Sequence, residues 1–411
     1  MTADVAIVGG GPAGAVMAAL LARAGHEVVL FERAPAWRWR ACGVFASPAT
    51  VAALQRIGIG NADLARVARA IPAMRVETKR GTSFRLTYGG TGSLADSAVG
   101  VDRSQLDRLL LEEARLAGVD VREGAPIASV ELPRSGGAAA AGIGPARLAL
   151  GNGQDTVAAR IVVGADGLRS IVARAAGVTH RSPLGPRVAL TFHLPDPRGA
   201  EPHDARMVVI DDGYVGLAPV PGGRINVGIV LGRRWFEALR RDGGSAVAKR
   251  IVDALPPDVG APGGSTGLAW TVLDRVAGVA PLGHGVSRRS GAGWLLVGDA
   301  AGFLDPFTGE GLHRSIVSAE LAARTIDAVL AGRESGGLEA YDRAMRSAFG
   351  TKDFVSRVVQ AFLGYPSLFE YAGRRLADRP EVRETMGRVI GDLSPATRAL
   401  DPRYLAALLR P

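Results

Sequence analysis

The sequence predicts an α/β domain of the Rossmann type, interrupted by a mostly antiparallel β-sheet and closed by a helical C-terminal segment. Three observations predict it. The chain opens on a strand, a glycine turn and a helix that lead to a second strand ending in an acid, Glu32. Between residues 187 and 273, strand patterns follow one another with a single helix and no helical crossovers. Beyond residue 338 the pattern is helical, mixed apolar and basic, and interrupted by Pro366, Pro380, Pro395 and Pro402.

The opening stretch positions everything else. Asp4-Val5-Ala6-Ile7-Val8 is a short apolar run suited to a buried parallel strand, and Gly9-Gly10-Gly11-Pro12-Ala13-Gly14 follows at once. This fits G-x-G-x-x-G: Gly9 permits the tight turn, Gly11 lets the backbone approach a pyrophosphate, and Gly14 lets the helix pack close to the strand. The helix, predicted over residues 13–24 and stopped by Gly25, offers the N–H groups of its first turn to the phosphates. Residues 28–31 form the second strand and deliver Glu32, whose carboxylate can accept both hydroxyls of an adenosine ribose. A glycine turn alone is a weak signal; strand, helix and an acid about 20 residues on are the context that confirms it. A ribose-binding acid disfavours a 2′-phosphate, so FAD or NAD is expected rather than NADP.

At 411 residues the chain has room for two or three structural units. No apolar run approaches the roughly 18 residues of a membrane span, and no signal-peptide pattern precedes the first strand, so a cytoplasmic location is expected. Cys42 is the only cysteine, which excludes an intrachain disulfide and any cysteine-based zinc cage; no metal site is expected. The net charge of +9 comes from scattered arginines, with Lys79, Lys249 and Lys352 the only lysines, and no basic block points to nucleic acid.

Residues 34–45, with Trp37, Trp39, Arg40, Cys42 and Gly43, read as a loop crossing a ligand, and residues 48–57 as a helix. Residues 74–78 and 83–87 alternate like a hairpin, followed by a glycine-rich loop at 89–93. Arg103 precedes a periodic helix carrying Leu106, Leu109, Leu110 and Ala114, after which residues 119–121 and 127–132 return to strand. A Gly/Ala linker at 136–144 leads to strands at 147–150 and 160–163, the second ending at Gly164-Ala165-Asp166-Gly167, with Ser170 opening the next helix. Asp166 in that turn is placed to bond a ligand, although Asp-Gly is also an ordinary turn.

The candidate strands of the middle stretch are 188–194, 206–210, 214–220, 225–231 and 267–272, with one helix at 245–255. Such a sheet suits the wall of an apolar pocket. Tyr214 and Trp270 could line it, against the alternative that strand aromatics belong to the core. A last buried strand at 294–297 runs into Gly298-Asp299, then a loop at 303–311 and a helix expected to open at His313. Asp299 is placed for a ribityl or ribose hydroxyl, and N–H groups near Leu312 and His313 for negative charge on a flavin.

Taken together, Gly9 to Gly14 with Glu32, then Gly164-Ala165-Asp166-Gly167 with Ser170, then Gly298-Asp299 with Pro306 to Gly311, resemble the flavoproteins of the p-hydroxybenzoate hydroxylase fold. This superfamily includes the group A monooxygenases and the geranylgeranyl reductases. The resemblance spans about residues 1–330. It implies FAD as cofactor, NAD(P)H as electron donor, and an isoalloxazine held between the α/β layer and an inserted substrate domain. It also matches Arg103 to an arginine that reaches the FAD phosphates.

The expected organisation is therefore a Rossmann-like FAD-binding domain in three parts, 1–72, 95–183 and 275–335. Into it are inserted a substrate-domain hairpin, 73–94, and an antiparallel substrate domain, 184–274; a helical region, 336–411, closes the chain. Expected cofactor contacts are Gly9, Gly11, Pro12, Ala13, Gly14, Glu32, Arg33, Arg40, Arg103, Asp166, Gly298, Asp299, Gly311, Leu312 and His313.

Within the superfamily, Cys42-Gly43 followed by Pro48, the Gly213-Tyr214 strand, and Asp305-Pro306-Phe307-Thr308-Gly309-Glu310-Gly311 resemble the geranylgeranyl reductase branch. Hydroxylases usually carry histidine where Gly302 stands and glutamine where Glu310 stands. Reductases tend to carry a glycine run where Val44-Phe45 stands and tryptophan where Gly216 stands. The halogenase signature W-x-W-x-I-P is missing.

Two reactions and one bland reading follow. The first expectation is an NAD(P)H-dependent monooxygenase hydroxylating a hydrophobic aromatic or polyketide-like molecule. The alternative is a reductase saturating carbon–carbon bonds of an isoprenoid or quinone tail, with the basic, apolar C-terminal helices touching a membrane surface. The third is a flavin-binding protein without catalysis. Cys42 is a candidate proton donor or pocket wall, against the alternative of a small buried hydrophobe. His313 is the other catalytic candidate, against a structural or flavin-edge role.

Overall fold

The computed structural model describes residues 2–36, 41–88, 97–133, 145–151, 153, 155–199, 201–256 and 270–410. Its central sheet is built from the apolar runs. Thr2–Val8 pairs in parallel with Val28–Glu32 on one side and with Thr156–Gly164 on the other, and the latter pairs in parallel with Trp294–Leu296. Side chains alternate between two cores. Val5 and Ile7 pack with the helices Pro12–Arg23, Arg103–Leu116 and Gly311–Leu330, whereas Ala6 and Val8 pack with Leu148, Val172 and Trp294. Burial on both faces is why these strands read as unbroken apolar runs.

The topology brings the motifs together. Thr2–Val8, Thr156–Gly164 and Trp294–Leu296 are neighbours in the sheet, so the turns beginning at Gly9, Ala165 and Gly298 leave the carboxyl ends of three adjacent parallel strands. Open α/β sheets place ligands at that end.

The second sheet has seven strands among the described residues, in the order Ala277–Val279, Val188–Pro195, Arg224–Leu231, Gly213–Val220, Ala205–Ile210, Ala73–Glu77 and Ser83–Thr87. Every pairing is antiparallel except that of Ala205–Ile210 with Ala73–Glu77, where the early hairpin joins the sheet. One face, with Phe192, Val215, Leu217, Val227 and Ile229, packs on the helix Phe236–Asp253. The other, with Met207, Tyr214 and Val230, packs under the C-terminal helices. A small sheet of Phe45–Ala46, Ala98–Val101 and Ala68–Ile71 bridges the layers. There a Cβ on Gly100 would lie 1.9 Å from the Pro219 carbonyl oxygen, so only glycine fits.

The C-terminal helices Pro366–Asp378, Pro380–Ile390 and Pro402–Leu409 each start on a proline that the sequence marks as a break, whose missing N–H costs nothing in a first turn. The helix expected at 245–255 begins earlier, at Phe236, and kinks at Gly243, where φ is +79°. Of the strand expected at 267–272, residues 270–272 are not in a strand and the remainder lies outside the described residues. The loop at 89–93 and the linker at 136–144 also lie outside them. Among the described residues, no helix is long and apolar enough to cross a membrane.

Candidate functional site

The fingerprint turn is fixed from both sides. Gly9 holds φ at +110° and its N–H donates to the Phe31 carbonyl at 2.8 Å; a Cβ there would lie 2.4 Å from the Ala165 carbonyl oxygen. A Cβ on Gly14 would lie 1.9 Å from the Gly9 oxygen. Gly11 differs: its backbone is ordinary, and a Cβ would meet nothing within 4 Å. This opening faces the start of Pro12–Arg23, a helix end with no side-chain cap, whose N–H groups suit a pyrophosphate.

Glu32 is buried and closes the turn. One carboxylate oxygen accepts the Gly10 N–H at 2.9 Å and the other the Ala34 N–H at 3.0 Å. A carboxylate oxygen accepts more than one hydrogen bond, so the group that shapes the turn is also chemically suited to a ribose. Arg33 beside it is exposed.

At the second turn, Asp166 Oδ2 accepts the Ile171 N–H at 2.6 Å, while its Oδ1 is buried without a partner. Burial raises its pKa against the pull of Ser170, the Ile171 N–H, its own N–H and the charge of Arg174. Ser170 caps the helix Ile171–Ala175 by accepting the Ala173 N–H at 3.0 Å. An orphaned buried oxygen beside the fingerprint fits a ligand that brings a donor.

The third turn rests on the first. Gly298 has φ +57°, donates its N–H to Ser318 Oγ at 2.9 Å, and lies so close to Ala13 that a Cβ would approach that side chain to 2.9 Å. Burial raises the pKa of Asp299, opposed by the charges of Arg103, His284 and Arg314. Arg103 makes a two-point contact with Asp107, at 2.8 and 3.0 Å, and donates to the Gly43 carbonyl at 2.9 Å. Burial works against its charge, but Asp107, Cys42 and Asp299 together hold its pKa above the usual value. Half-buried Cys42 therefore stands within electrostatic reach of the same arginine as Asp299.

The loop at 303–311 faces the second sheet. Buried Asp305 accepts hydrogen bonds from Arg187 at 2.6 Å, Tyr214 Oη at 2.6 Å, Gln360 at 2.7 Å and the Phe307 N–H at 3.0 Å. Phe307 stands edge-on to Tyr214 with ring centres 5.0 Å apart. Thr308 is buried and its Oγ1 has no partner. The helix opens at Gly311, two residues earlier than expected, so the N–H groups of Gly311, Leu312 and His313 form its first turn.

Several expected roles change. The Leu312 side chain belongs to the core, which leaves its backbone for any ligand. The His313 ring turns to the C-terminal region, with Nδ1 3.4 Å from Asp392 and Phe349 edge-on at 6.5 Å. Burial lowers its pKa in spite of Asp392. The Tyr214 hydroxyl is spent on Asp305 within a buried cluster, so it does not present an open wall. Trp270 stands 5.2 Å from Phe192 on the face that packs on Phe236–Asp253, away from the loop at 303–311, which removes it as a pocket residue. Arg40, with Trp37 and Trp39, lies outside the described residues.

Sequence reasoning missed Arg187, Gln360, Lys352 and Asp392. Lys352 is buried and donates to Asp392 at 2.8 Å and to the Val389 carbonyl at 2.7 Å, while Asp392 accepts from Ser47 Oγ at 3.0 Å. The available signal was polar residues at core positions of an amphipathic helix, as Lys352 and Gln360 are in Glu339–Gly364.

A family model described as FAD binding domain matches residues 2–353. The chain belongs to this FAD-binding family. Its cofactor is FAD, and it is an FAD-dependent oxidoreductase of the superfamily that holds the geranylgeranyl reductase-like flavoproteins. It is 28% identical over 407 residues to a menaquinone reductase of Mycolicibacterium smegmatis, covering 95% of this chain and 92% of the relative. It is 30% identical over 350 residues to a digeranylgeranylglycerophospholipid reductase of Methanopyrus kandleri, covering 80% and 78%. Among solved structures, a flavoprotein/dehydrogenase from Cytophaga hutchinsonii superposes with a TM-score of 0.78 at 19% identity, covering 95% and 93% of the two chains, and shows the shared fold.

Proposed function

We propose that this FAD-dependent oxidoreductase is a reductase that saturates a carbon–carbon double bond in the isoprenoid chain of a quinone or lipid. The observation that carries the reading is the end-to-end similarity to a menaquinone reductase, 95% of one chain against 92% of the other. The named activity of the Methanopyrus relative also concerns an isoprenoid lipid. Both favour reduction over the hydroxylation of an aromatic or polyketide-like molecule that the motifs alone equally allow.

FAD, when bound, would supply hydride transfer from NAD(P)H to one alkene carbon, and the other carbon would need a proton. The protein's part is binding, orientation and exclusion of water. Gly11, the start of Pro12–Arg23 and Arg103 would hold the pyrophosphate, Glu32 the adenosine ribose, and Asp299 the ribityl side. Pro12, Ala13, Gly14, Arg33, Asp166, Gly298 and the first-turn N–H groups of Gly311, Leu312 and His313 complete the cradle. Cys42, beside Arg103, delivers the proton.

The parallel-sheet parts, 1–72, 95–183 and 275–335, form the FAD-binding domain. The second sheet, from 184–274 with the hairpin 73–94 and the edge strand Ala277–Val279, which lies beyond the boundary expected at 274, forms the substrate domain, and 336–411 covers it. A lipid substrate also gives meaning to the corner between Glu339–Gly364 and Pro366–Asp378. Phe354, Val358, Tyr365 and Leu368 are exposed there, with exposed Arg357 among them and Arg80 donating to Ser367 at 3.1 Å. An apolar stripe flanked by arginines suits an anionic bilayer.

The test is anaerobic NAD(P)H oxidation by the flavin-loaded protein with menaquinone in detergent micelles. Oxidation that depends on the quinone's isoprenoid chain, and is not matched by menadione, supports the proposal; oxidation that never responds to the chain overturns it.

A further inference from the structure

The residue that leads into the helix Gly311–Leu330 is a carboxylate with little to hold its charge. Glu310 stands at the helix boundary, immediately before the first-turn N–H groups of the cofactor cradle. Its side chain is 12% exposed. Among the described residues one hydrogen bond reaches it, from Ser356 Oγ to Oε1 at 3.2 Å. Asp305, in the same loop, takes four. An ionised carboxylate removed from water needs such donors to offset its lost hydration.

The cations nearby are already committed. Arg314, one turn along the helix, and Lys352, on Glu339–Gly364, each stand 3.9 Å from the Glu310 carboxylate. Both have closer partners: Arg314 pairs with Asp353, and Lys352 Nζ donates to Asp392 at 2.8 Å and to the Val389 carbonyl at 2.7 Å. Two cations therefore serve three carboxylates. His313 does not make up the difference, because burial opposes its protonation. With Glu310 ionised the group holds an excess negative charge; with Glu310 protonated it is balanced. Burial raises the pKa of Glu310, the charges of Arg314 and Lys352 oppose this, and those of Asp392 and Asp353 add to it.

Reduction of bound FAD acts on this balance. A hydride carries two electrons and one proton, so its arrival leaves one further negative charge at the cofactor. Arg314 links the two places, since its charge is held by Glu310 and by Asp299 of the cradle alike. We propose that Glu310 takes up one proton from solvent when bound FAD is reduced and releases it on reoxidation. NAD(P)H supplies the hydride, both electrons stay with the flavin, and the carboxylate becomes a carboxylic acid, so the total charge of the site is unchanged. This rests on FAD as cofactor and not on which substrate later takes the hydride.

The experiment follows the midpoint potential of FAD bound to the full chain against pH, anaerobically and without substrate. Each proton taken up with two electrons steepens the fall of potential by about 30 mV per pH unit, the tenfold change in proton concentration converted for a two-electron couple. Wild type is expected to show that extra slope over a window of pH. Glu310→Gln, which keeps the shape and cannot ionise, is expected to lose it. Ser356→Ala removes the donor to the ionised carboxylate and should move the window to higher pH. The reduced-minus-oxidised infrared spectrum reads the proton directly: inside the window, wild type should gain a protonated-carboxyl C=O band that Glu310→Gln lacks. Tm and flavin content show that each variant is folded and loaded. An unchanged slope in loaded Glu310→Gln, no carboxyl band in wild type, or a band that survives the substitution overturns the proposal. Should Glu310→Gln not load flavin, the wild-type band and Ser356→Ala decide, and a window that Ser356→Ala leaves in place overturns it. No outcome involves an alkene, so failure here leaves the reductase reading standing.

Discussion

The hydroxyl of Tyr214, on the second sheet, donates to the carboxylate of Asp305, in the loop beside the candidate flavin site, at 2.6 Å, and both residues are buried. Arg187 and Gln360 converge on the same carboxylate, so sheet, loop and C-terminal helix meet at one buried charge. Removing a donor from such a charge costs about 2 kcal/mol. Tyr214→Phe is expected to lose that much in urea unfolding while retaining flavin. No loss would mean that the carboxylate is satisfied without it.

The two turn glycines part company under substitution. Gly9→Ala forces a Cβ to 2.4 Å from a backbone oxygen at φ +110°, so it should destabilise the fold by about 3 kcal/mol or more. Gly11→Ala meets nothing within 4 Å, so stability should stay within about 0.5 kcal/mol while FAD affinity falls at least about tenfold. Thermal melts of the apoprotein with flavin titration separate the two effects.

His313 supplies a pH signature. Burial lowers its pKa from the ordinary 6.5, so between the folded value and 6.5 the unfolded chain takes up a proton that the folded chain refuses. Its contribution is fully present above 6.5 and is lost as pH falls through that window. His313→Gln should flatten the acid side of a plot of urea midpoint against pH; an unchanged slope would place the titration on another group.

The exposed corner should bind lipid. Phe354→Asp with Tyr365→Asp removes the two most exposed aromatics of the stripe, at 52% and 68% exposure, and should abolish co-sedimentation with phosphatidylglycerol vesicles without changing flavin content. Retained co-sedimentation would remove the membrane from the account.

Proton delivery makes Cys42→Ala informative. General acid catalysis contributes roughly a hundredfold or more, so the turnover number for alkene reduction should fall by about that factor with little change in KM. A fall confined to KM would make Cys42 a pocket wall.

The parallel layer was legible because its signals are local: the run Val5-Ala6-Ile7-Val8 announces a strand buried on both faces, and Glu32 sits where a strand must end. The breaks at Pro366, Pro380 and Pro402 were legible for the same reason, and each proved to be a helix start. What was not legible depends on partners distant in the chain. Asp305 stood inside a recognised motif, but its buried role needs Arg187 and Gln360, 118 and 55 residues away. Trp270 looked like a pocket aromatic because its stretch read as a strand; residues 270–272 are not in one, and Trp270 packs with Phe192 on the side that Phe236–Asp253 covers. The helix half before Gly243 was hidden by its arginines and glycines.

The most direct test of the central claim is the mass of the product formed from menaquinone and NAD(P)H by the flavin-loaded protein, under argon and in air. Addition of two hydrogens to the isoprenoid chain, formed equally well without oxygen, is the predicted result. A product that appears only in air and carries one added oxygen atom would contradict it and restore hydroxylation.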